Sequence, residues 1–236
     1  MSTMKSVSPF RASSDVVAFT RNADPSGKAG QIATEIEHRL MLGQYDFGEA
    51  LSATQLAQQF DASRQPVSAA IAHLRSLGYV EVIPQVGCRV VSPSASEIAD
   101  FFVALGKIEA AAAAFAARRY ENDEAAVLVA IAERDDPEGL NTLAERQSYI
   151  AHLHHYHQQI WDMARSPALD ARVSSMRRLA SFYLWQGAAR LVPTSAHLLI
   201  IERAEIARAI MARDVTRAEI LMEKHISHKP HVNGVL

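Results

Sequence analysis

Residues 61–80, with the sequence DASRQPVSAAIAHLRSLGYV, decide the fold of this protein. Ser63 is placed to cap a helix that begins at the next residue, because a serine hydroxyl accepts a hydrogen bond from an unpaired amide of the first turn. Pro66 would be the third helical residue, where its missing N–H costs little. The expected buried stripe contains Val67, Ala70, Ile71 and Leu74, and Gly78 ends it. A helix that only packs needs no charged, hydrogen-bonding first turn, so this end is predicted to contact another molecule.

The segments on either side of this helix complete a compact unit. Upstream, apolar residues recur at helical spacing in one segment, and 52-SATQ-55 is typical of a capping box that opens a short second helix. The apolar positions of the first segment are Ile32, Ile36 and Leu40. Downstream, β-branched runs at 79–83 and 88–91 flank 84-PQVG-87, which indicates a small hairpin. Helix, helix, turn, helix and hairpin in this order form a winged helix-turn-helix.

The remainder of the chain has a helical pattern. Ser92-Pro93-Ser94 is typical of a linker, and 94-SASE-97 is a second capping box. Beyond it we find no convincing strand, and we expect helices at about 95–120, 123–135, 139–165, 168–190, 195–212 and 214–228. The fold class is therefore mainly α, with an N-terminal winged helix-turn-helix followed by an all-α helical-bundle domain. The predicted divisions are a mobile N-terminal arm (1–27), the winged domain (28–92), the helical domain (93–230) and a tail (231–236).

Bulk composition limits the classes of function. The chain has 236 residues, a formal net charge of −2 and a single cysteine, Cys88. One cysteine excludes an internal disulfide framework and fits a reducing compartment. No apolar run approaches the roughly 20 residues of a membrane-spanning helix. We therefore expect a cytoplasmic protein that does not interact with a membrane.

The charge of the winged domain is unusual for a DNA-binding module. Residues 28–92 contain five basic and six acidic side chains, which gives a net charge of −1. DNA-binding modules are usually more basic. Tight binding to DNA would then depend on dimerisation and on a few well-placed cations.

The tip of the helix at 64–76 nevertheless suits double-stranded DNA. In a helix-turn-helix the second helix enters the major groove with its N-terminal residues leading, and its free amides suit phosphate. Arg64 can reach a phosphate or a guanine edge from this tip. The alternative is a solvated arginine on an ordinary helical hairpin. The tip, the short turn and the wing occur together, which favours DNA.

Residues 32–91 resemble the N-terminal domain of the GntR family of bacterial transcription regulators. The shared residues are Ile32, Leu40, Gly43, Gly48, Leu51, Leu56, Ala57, Ser63, Arg64, Pro66, Val67, Ala70, Leu74, Gly78, Pro84, Gly87 and Val90. The all-helical remainder is similar to the FCD effector domain of the same family. Its matches are Glu109, Tyr156-His157, Ser166-Pro167, 202-ERAEIARAIMARD-214 and His225. The resemblance implies a homodimeric repressor on an inverted-repeat operator, whose affinity for DNA is modulated by a small carboxylic acid.

The recognition helix departs from the family pattern. The family commonly has Ser-Arg-Thr-Pro-Val-Arg-Glu-Ala here, whereas this chain has Ser68 at the position of a DNA-contacting arginine. Thr54 likewise stands where the family often has a charged residue. Gln65 either reads an adenine, which offers it a donor and an acceptor in the major groove, or is solvated. The residues predicted to bind DNA are Thr54, Ser63, Arg64, Gln65, Ser68 and Gly87.

The effector domain departs further from its family. Members commonly bind a divalent metal through an Asp and a His four residues apart and two later histidines. These positions are occupied here by Leu153, His157, Arg203 and His225. Leucine has no donor atom and arginine stays protonated, so we predict no metal cofactor.

Arg203 would instead bind the carboxylate of the effector through two parallel hydrogen bonds. The other residues predicted at this effector site are His157, His225 and His154. Two alternatives remain open. Arg203 points to solvent or pairs with a glutamate on its own helix, or a divalent metal is still held by His154, His157 and His225.

Two other classes of function compete with a regulator. A metal-dependent enzyme would use the histidine-rich segments 152–157 and 225–231, but the sequence has no HExxH motif and no nucleophile motif. A helical protein-interaction module, whose winged domain binds protein, is kept open by the net charge of residues 28–92. We expect a regulator rather than an enzyme.

Overall fold

The computed structural model describes residues 26–83, 87–134, 142–186 and 193–232, and gives only the backbone for 193–197 and 229–232. The predicted N-terminal arm therefore lies almost entirely outside the described residues, although Gly27 already begins the first helix. The predicted tail at 231–236 is described only as far as Val232, where the last helix ends.

The N-terminal part forms the winged helix-turn-helix that the sequence predicts. Its elements in chain order are α1 Gly27–Met41, β1 Ala50–Leu51, α2 Ala53–Gln59, α3 Arg64–Ser76, β2 Val80–Ile83 and β3 Gly87–Val90. β2 and β3 pair antiparallel with Glu81 opposite Arg89, and β1 pairs with the other edge of β3. The sequence does not predict β1, because two residues are too few to show an alternating pattern.

The apolar stripes predicted for α1 and α3 meet in the core of the winged domain. The fully buried side chains from these two helices are Ile32, Ile36, Leu40, Val67, Ala70 and Leu74. Burying one such aliphatic side chain contributes roughly 1.5–3 kcal/mol, so this contact fixes the direction in which α3 projects. Gly43 and Gly78 follow α1 and α3 with φ of 66° and 85°, a backbone conformation that glycine adopts without steric cost.

The N-termini of α2 and α3 are capped differently. Ser52 Oγ accepts a hydrogen bond from the Gln55 amide at 3.3 Å, which is one half of the predicted capping box. Ser63 occupies the N-cap position of α3, but its side chain makes no capping hydrogen bond. The prediction that the Ser63 hydroxyl caps α3 is therefore wrong. Pro66 is the third residue of the helix and has no N–H, so it removes one of the two usual partners of a capping hydroxyl.

Each helix predicted after the linker is present. These helices are α4 Ala95–Arg119, α5 Glu124–Ala132, α6 Leu143–Ala164, α7 Pro167–Leu184, α8 Pro193–Met211 and α9 Val215–Val232. Ser94 and Glu97 form the predicted capping box at the start of α4. α4 and α9 lie closely against each other, because a Cβ on Gly106 would be only 3.3 Å from the Glu223 carbonyl oxygen. Within the described ranges, none of the helices is long and apolar enough to cross a bilayer.

α7 joins the two domains through a buried polar cluster. Arg178 Nε on α7 donates to Glu37 Oε1 on α1 at 2.8 Å, and the Tyr79 hydroxyl donates to the same oxygen at 2.9 Å. All three side chains are buried. Phe182, one turn further along α7, packs edge-on against Phe47 and Tyr79 and belongs to the core of the winged domain. The two domains therefore share a packed interface and not only a linker.

A second contact lies at the C-terminal end of α7. A Cβ on Gly43 would collide with the Trp185 carbonyl group, and Gln186 Nε2 donates to the Leu40 carbonyl at 3.2 Å. The end of α1 therefore lies directly against the residues that follow α7.

Candidate DNA-binding surface and ligand cavity

Three of the residues predicted to bind DNA meet at the turn between α2 and α3. An open concavity of about 420 Å³ lies at this turn and is lined by Thr54, Ala57, Gln58, Asp61, Ala62, Ser63 and Arg64. Asp61 adopts a positive φ of 44°, which lets the chain reverse between the two helices within a few residues. Thr54, Ser63 and Arg64 are exposed, so a molecule outside the domain can reach them.

The outward face of α3 carries short, uncharged side chains. Away from the buried Val67 and Leu74, the exposed uncharged residues of α3 are Gln65, Ser68, Ala69, Ala72 and Ser76, and the exposed charged residues are Arg64 and Arg75. Short side chains let a helix backbone come close to the surface on which it docks. Gln65 and Ser68 are therefore presented on the same exposed surface as Arg64.

The wing carries Gly87 at its described edge. Gly87 is exposed, begins β3 and has φ of 127°, a region that favours glycine. No atom lies within 4 Å of the position that its Cβ would occupy. The tip of the wing at 84–86 is outside the described residues, so the predicted hairpin is described only by its two strands.

Ion pairs neutralise two of the cations in the winged domain. Arg89 pairs with Glu81 at 2.7 Å across β2 and β3, and Arg39 pairs with Glu35 at 2.7 Å on α1. In the described part of this domain, neither Arg64 nor Arg75 has an acidic partner within 4 Å. Both are exposed on α3. Two of the three remaining basic side chains, Arg64 and Arg75, therefore lie on the recognition helix, and the third, Lys28, is exposed at the start of α1.

The helical domain contains a small internal cavity between α4, α6, α7 and α9. Its volume is about 30 Å³, and its lining comprises Phe102, Leu105, Glu109, Leu153, His154, His157, Arg177, Ala180, Ser181, Leu184 and Ile226. A cavity needs about 10–15 Å³ to hold one water molecule, so this one accommodates about two. A metabolite enters only if the lining side chains move.

Glu109 is the buried anion of this cavity. Its side chain is fully buried, and Oε2 accepts a hydrogen bond from Trp161 Nε1 at 3.1 Å. His157 Nδ1 lies 3.4 Å from Oε2, and Arg177 Nη1 lies 3.5 Å from Oε1. Burial raises the pKa of this carboxyl, but contact with His157, the charge of Arg177 and the Trp161 hydrogen bond outweigh it, and the pKa is lowered. Glu109 is therefore ionised at neutral pH.

Arg177 is the cation that lines the cavity. Its Nη2 donates to Asp170 Oδ1 at 2.9 Å and to Gln158 Oε1 at 3.1 Å. The sequence analysis identified Glu109 only as a family match and missed Arg177, Asp170 and Gln158. Asp170 and Arg177 are seven residues apart, a helical repeat that many solvated ion pairs also show. Nothing in the sequence pairs either of them with Glu109.

The predicted effector-site histidines lie in or behind the cavity wall. His154 and His157 line it, and His154 Nε2 is 3.0 Å from Ser181 Oγ on α7. The His157 and His225 rings stack, with centroids 6.2 Å apart. His225 Nδ1 is 2.8 Å from Glu202 Oε2. His225 is therefore one layer further from the cavity than His157.

Arg203 is fully buried on α8. The alternative in which it points to solvent is therefore wrong. Arg203 is not among the residues that line the cavity, and its carbonyl accepts a hydrogen bond from the Tyr156 hydroxyl at 3.1 Å. Burial and then the positive charge of Arg203 lower the pKa of His152 to about 4. Its guanidinium thus places a buried positive charge beside α6.

The residues at the family's metal positions do not fit a divalent metal. Leu153 has no donor atom, and the buried Arg203 carries a charge that repels a cation. In the ranges that the structure describes, no three His, Cys, Asp or Glu side chains come together as a possible metal-ligand set. This applies also to His154, His157 and His225, because His154 is directed towards Ser181 on α7.

A winged helix-turn-helix with an exposed recognition helix, joined to an all-helical domain with an internal cavity, defines a DNA-binding transcription regulator with a small-molecule effector domain. Family models agree with this class. The model described as bacterial regulatory proteins of the gntR family matches residues 28–90, and that of the FCD domain matches residues 100–228. This chain belongs to the GntR family and carries an FCD domain.

Solved structures show the same fold. E. coli McbR/YncC is 17% identical with a TM-score of 0.70, and the match covers 89% of this chain and 99% of that chain. A GntR transcriptional regulator from Rhodococcus sp. RHA1 is 16% identical with a TM-score of 0.71, over 89% of this chain and all of that chain. No curated protein sequence matches this chain. Family membership favours a regulator over the enzyme and the protein-interaction module.

Proposed function

We propose that this protein is a homodimeric transcriptional repressor that binds an inverted-repeat operator and releases it when a small organic acid enters the helical domain. The observation that carries the proposal is the position of α7. One face of this helix lines the ligand cavity, and another face packs against the winged domain. A change in the shape of the cavity therefore alters the contact between α7 and the winged domain, which carries the DNA-binding surface.

The DNA contacts of the proposal come from the exposed tip of α3. Arg64 supplies the cation that reaches a phosphate or a guanine edge, and Gln65 faces an adenine edge. Ser63, Ser68 and Thr54 provide short hydrogen-bonding groups around it, and Gly87 brings the wing backbone near the DNA. Because each winged domain has few cations available for DNA, tight operator binding needs two winged domains on matching half-sites.

The effector contacts of the proposal lie on the α6 side of the cavity. His154 and His157 line the cavity, and His225 stacks behind His157. The buried charge of Arg203 on α8 makes this side favourable for a carboxylate, because arginine can donate two parallel hydrogen bonds to such a group. The carboxylate comes within reach of Arg203 only after the cavity opens.

The regulatory step of the proposal follows from the small volume of the cavity. A cavity of about 30 Å³ is too small for an organic acid, so binding pushes apart the helices that enclose it. α7 carries four cavity-lining residues, Arg177, Ala180, Ser181 and Leu184. Displacement of α7 alters the contact between Arg178 and Glu37. The distance between the two winged domains of the dimer changes as a result. A ligand that binds one arrangement better than the other shifts the equilibrium between them.

Operator selection followed by a gel shift tests this function. Random DNA duplexes are selected on the full-length protein, and the selected site is compared with a single half-site of the same sequence. The proposal expects an inverted repeat bound by two protomers, and much weaker binding to the half-site. A monomer that binds one half-site at full strength would contradict it, as would selection of no sequence at all. A thermal-shift screen of small organic acids then identifies the effector.

A further inference from the structure

Glu109 has more acceptor capacity than its neighbours use. An ionised carboxylate offers about four acceptor sites, and charge-assisted hydrogen bonds to it are typically about 2.7–2.9 Å long. The contacts of Glu109 within the described structure are Trp161 at 3.1 Å, His157 at 3.4 Å and Arg177 at 3.5 Å. Two of these contacts are long, although Glu109 is fully buried and lines the cavity. Within the described structure, the protein therefore gives this buried carboxylate no contact shorter than 3.1 Å.

Arg177 cannot shorten its contact with Glu109 without losing better ones. Its Nη2 atom is held by Asp170 at 2.9 Å and by Gln158 at 3.1 Å. These contacts pull the guanidinium towards the surface, where the Asp170 side chain is 23% exposed. The acid groups Glu109 and Asp170 outnumber the single arginine at this end of the cavity. This end is therefore suited to a hydrogen-bond donor or a cation and not to another anion.

The electrostatics of burial limit the kind of acid that can enter. A bare carboxylate brings a second anion close to the buried Glu109, where an uncompensated buried charge is strongly unfavourable. A zwitterion adds no net charge, and its ammonium group has three N–H donors to give. It therefore satisfies Glu109 and leaves its own carboxylate to accept hydrogen bonds from the α6 side of the cavity.

We propose that the ligand of this cavity is a small aliphatic amino acid whose ammonium group donates to Glu109 and whose carboxylate faces His154 and His157. This inference rests on the proposed function, in which the same cavity is the effector site. Phe102, Leu105 and Ile226 line the rest of the cavity, so the side chain of the amino acid is short and apolar. The ammonium group replaces the long contacts of Glu109 with short ones.

Matched probes test the need for the ammonium group. Binding of 2-aminobutyrate and of butyrate, which share a carbon skeleton, is measured on the full-length protein by calorimetry and thermal shift. 2-Aminobutyrate is expected to bind and to raise Tm, and butyrate to bind at least about 10-fold more weakly, since one charged hydrogen bond is lost. The side-chain length is then varied from glycine to leucine. Equal binding of butyrate, or no response to any of these amino acids at millimolar concentration, would overturn the proposal.

Variants of Glu109 locate the ammonium group. Glu109→Gln is expected to weaken 2-aminobutyrate binding at least about 10-fold. Butyrate binding is expected to become stronger in this variant, because the repulsion between its carboxylate and Glu109 is removed. Glu109→Asp keeps the charge but moves it back by one methylene, so it is also expected to weaken the binding of 2-aminobutyrate. If Glu109→Gln does not fold, Glu109→Asp provides the test. Circular dichroism checks the fold of both. Unchanged affinity for 2-aminobutyrate in either folded variant overturns the proposal.

The same experiment separates this inference from the proposed function. If 2-aminobutyrate binds through Glu109 but operator affinity does not change, the ligand class stands and the proposed regulation fails. If butyrate binds equally well and releases the operator, the proposed regulation stands and the role of Glu109 is wrong.

Discussion

Arg177 and Arg178 are consecutive residues of α7 whose guanidinium groups pair with carboxylates of different domains. Arg177 Nη1 lies 3.5 Å from Glu109 in the cavity, and Arg178 Nε lies 2.8 Å from Glu37 of the winged domain. Both arginines are buried. One turn of α7 therefore bears both the Arg177–Glu109 contact in the cavity and the Arg178–Glu37 contact with the winged domain.

The pair between Arg178 and Glu37 is predicted to hold the two domains together. Glu37→Gln leaves the buried guanidinium of Arg178 without its charge partner, which is expected to lower the free energy of unfolding by about 3–5 kcal/mol. Glu35→Gln, on the same helix, is the matched control, because the Glu35–Arg39 pair is partly exposed and such pairs contribute about 0–1 kcal/mol. Urea denaturation compares the two. An equal decrease in the free energy of unfolding in both variants would show that the buried Arg178–Glu37 pair stabilises the protein no more than the partly exposed Glu35–Arg39 pair.

Arg64 is predicted to be the main cation at the DNA interface. Arg64→Ala is expected to weaken operator binding by about 1–3 kcal/mol without changing helical content, because the exposed side chain makes no contribution to the core. Arg172→Ala removes the same charge from an exposed site on α7 and serves as the control. Fluorescence anisotropy with a labelled operator measures both. Unchanged affinity in a folded Arg64→Ala protein would remove Arg64 from the interface.

Arg203 is predicted to take the place of the family's metal as the positive charge of the effector site. Arg203→Ala is expected to abolish the response of operator binding to the effector while DNA binding itself persists. Arg203→Lys keeps the charge and is expected to retain part of the response, although lysine lacks the planar donor pair. Elemental analysis of the wild-type protein is expected to find less than stoichiometric zinc, nickel or manganese. A full metal complement held by His154, His157 and His225 would contradict this role.

His152 is predicted to make stability depend on pH. Burial and the charge of Arg203 lower its pKa to about 4 in the folded protein, against about 6.5 in the unfolded chain. The unfolded state therefore binds a proton first, and stability falls as pH decreases from about 6.5 to about 4. His152→Gln is expected to flatten this part of the stability profile, as measured by urea denaturation at a series of pH values. An identical profile in the variant would mean that His152 titrates normally.

The local features of the fold are predictable from the sequence. The stripe on α3, the Ser52 cap and the capping box at Ser94 each involve residues only a few positions apart, so a short pattern contains all the partners. Ser63 shows the limit of this reasoning, because Pro66 removes one of the amides that a cap would use. The short strand β1 escapes prediction since its partner, β3, lies far along the chain.

The residues of the cavity are less predictable, because their partners are distant in sequence. Arg177 and Glu109 are separated by 68 positions and Arg178 and Glu37 by 141, and no spacing rule connects such pairs. His157 and Arg203 follow from their positions in the family pattern, and His154 follows from its spacing of three residues from His157. The sequence offered no sign that Arg177, and not Arg203, lines the cavity.

Ligand binding in the helical domain and operator binding by the winged domain are predicted to be coupled. Coupling of this kind is reciprocal and typically amounts to about 1–3 kcal/mol, or about 5–150-fold in affinity. The most direct measurement is the affinity of the effector for the full-length protein, with and without saturating operator DNA, by calorimetry. The account predicts that operator DNA weakens effector binding by the same factor by which the effector weakens operator binding. An effector affinity that is identical in the presence and absence of operator DNA would contradict it.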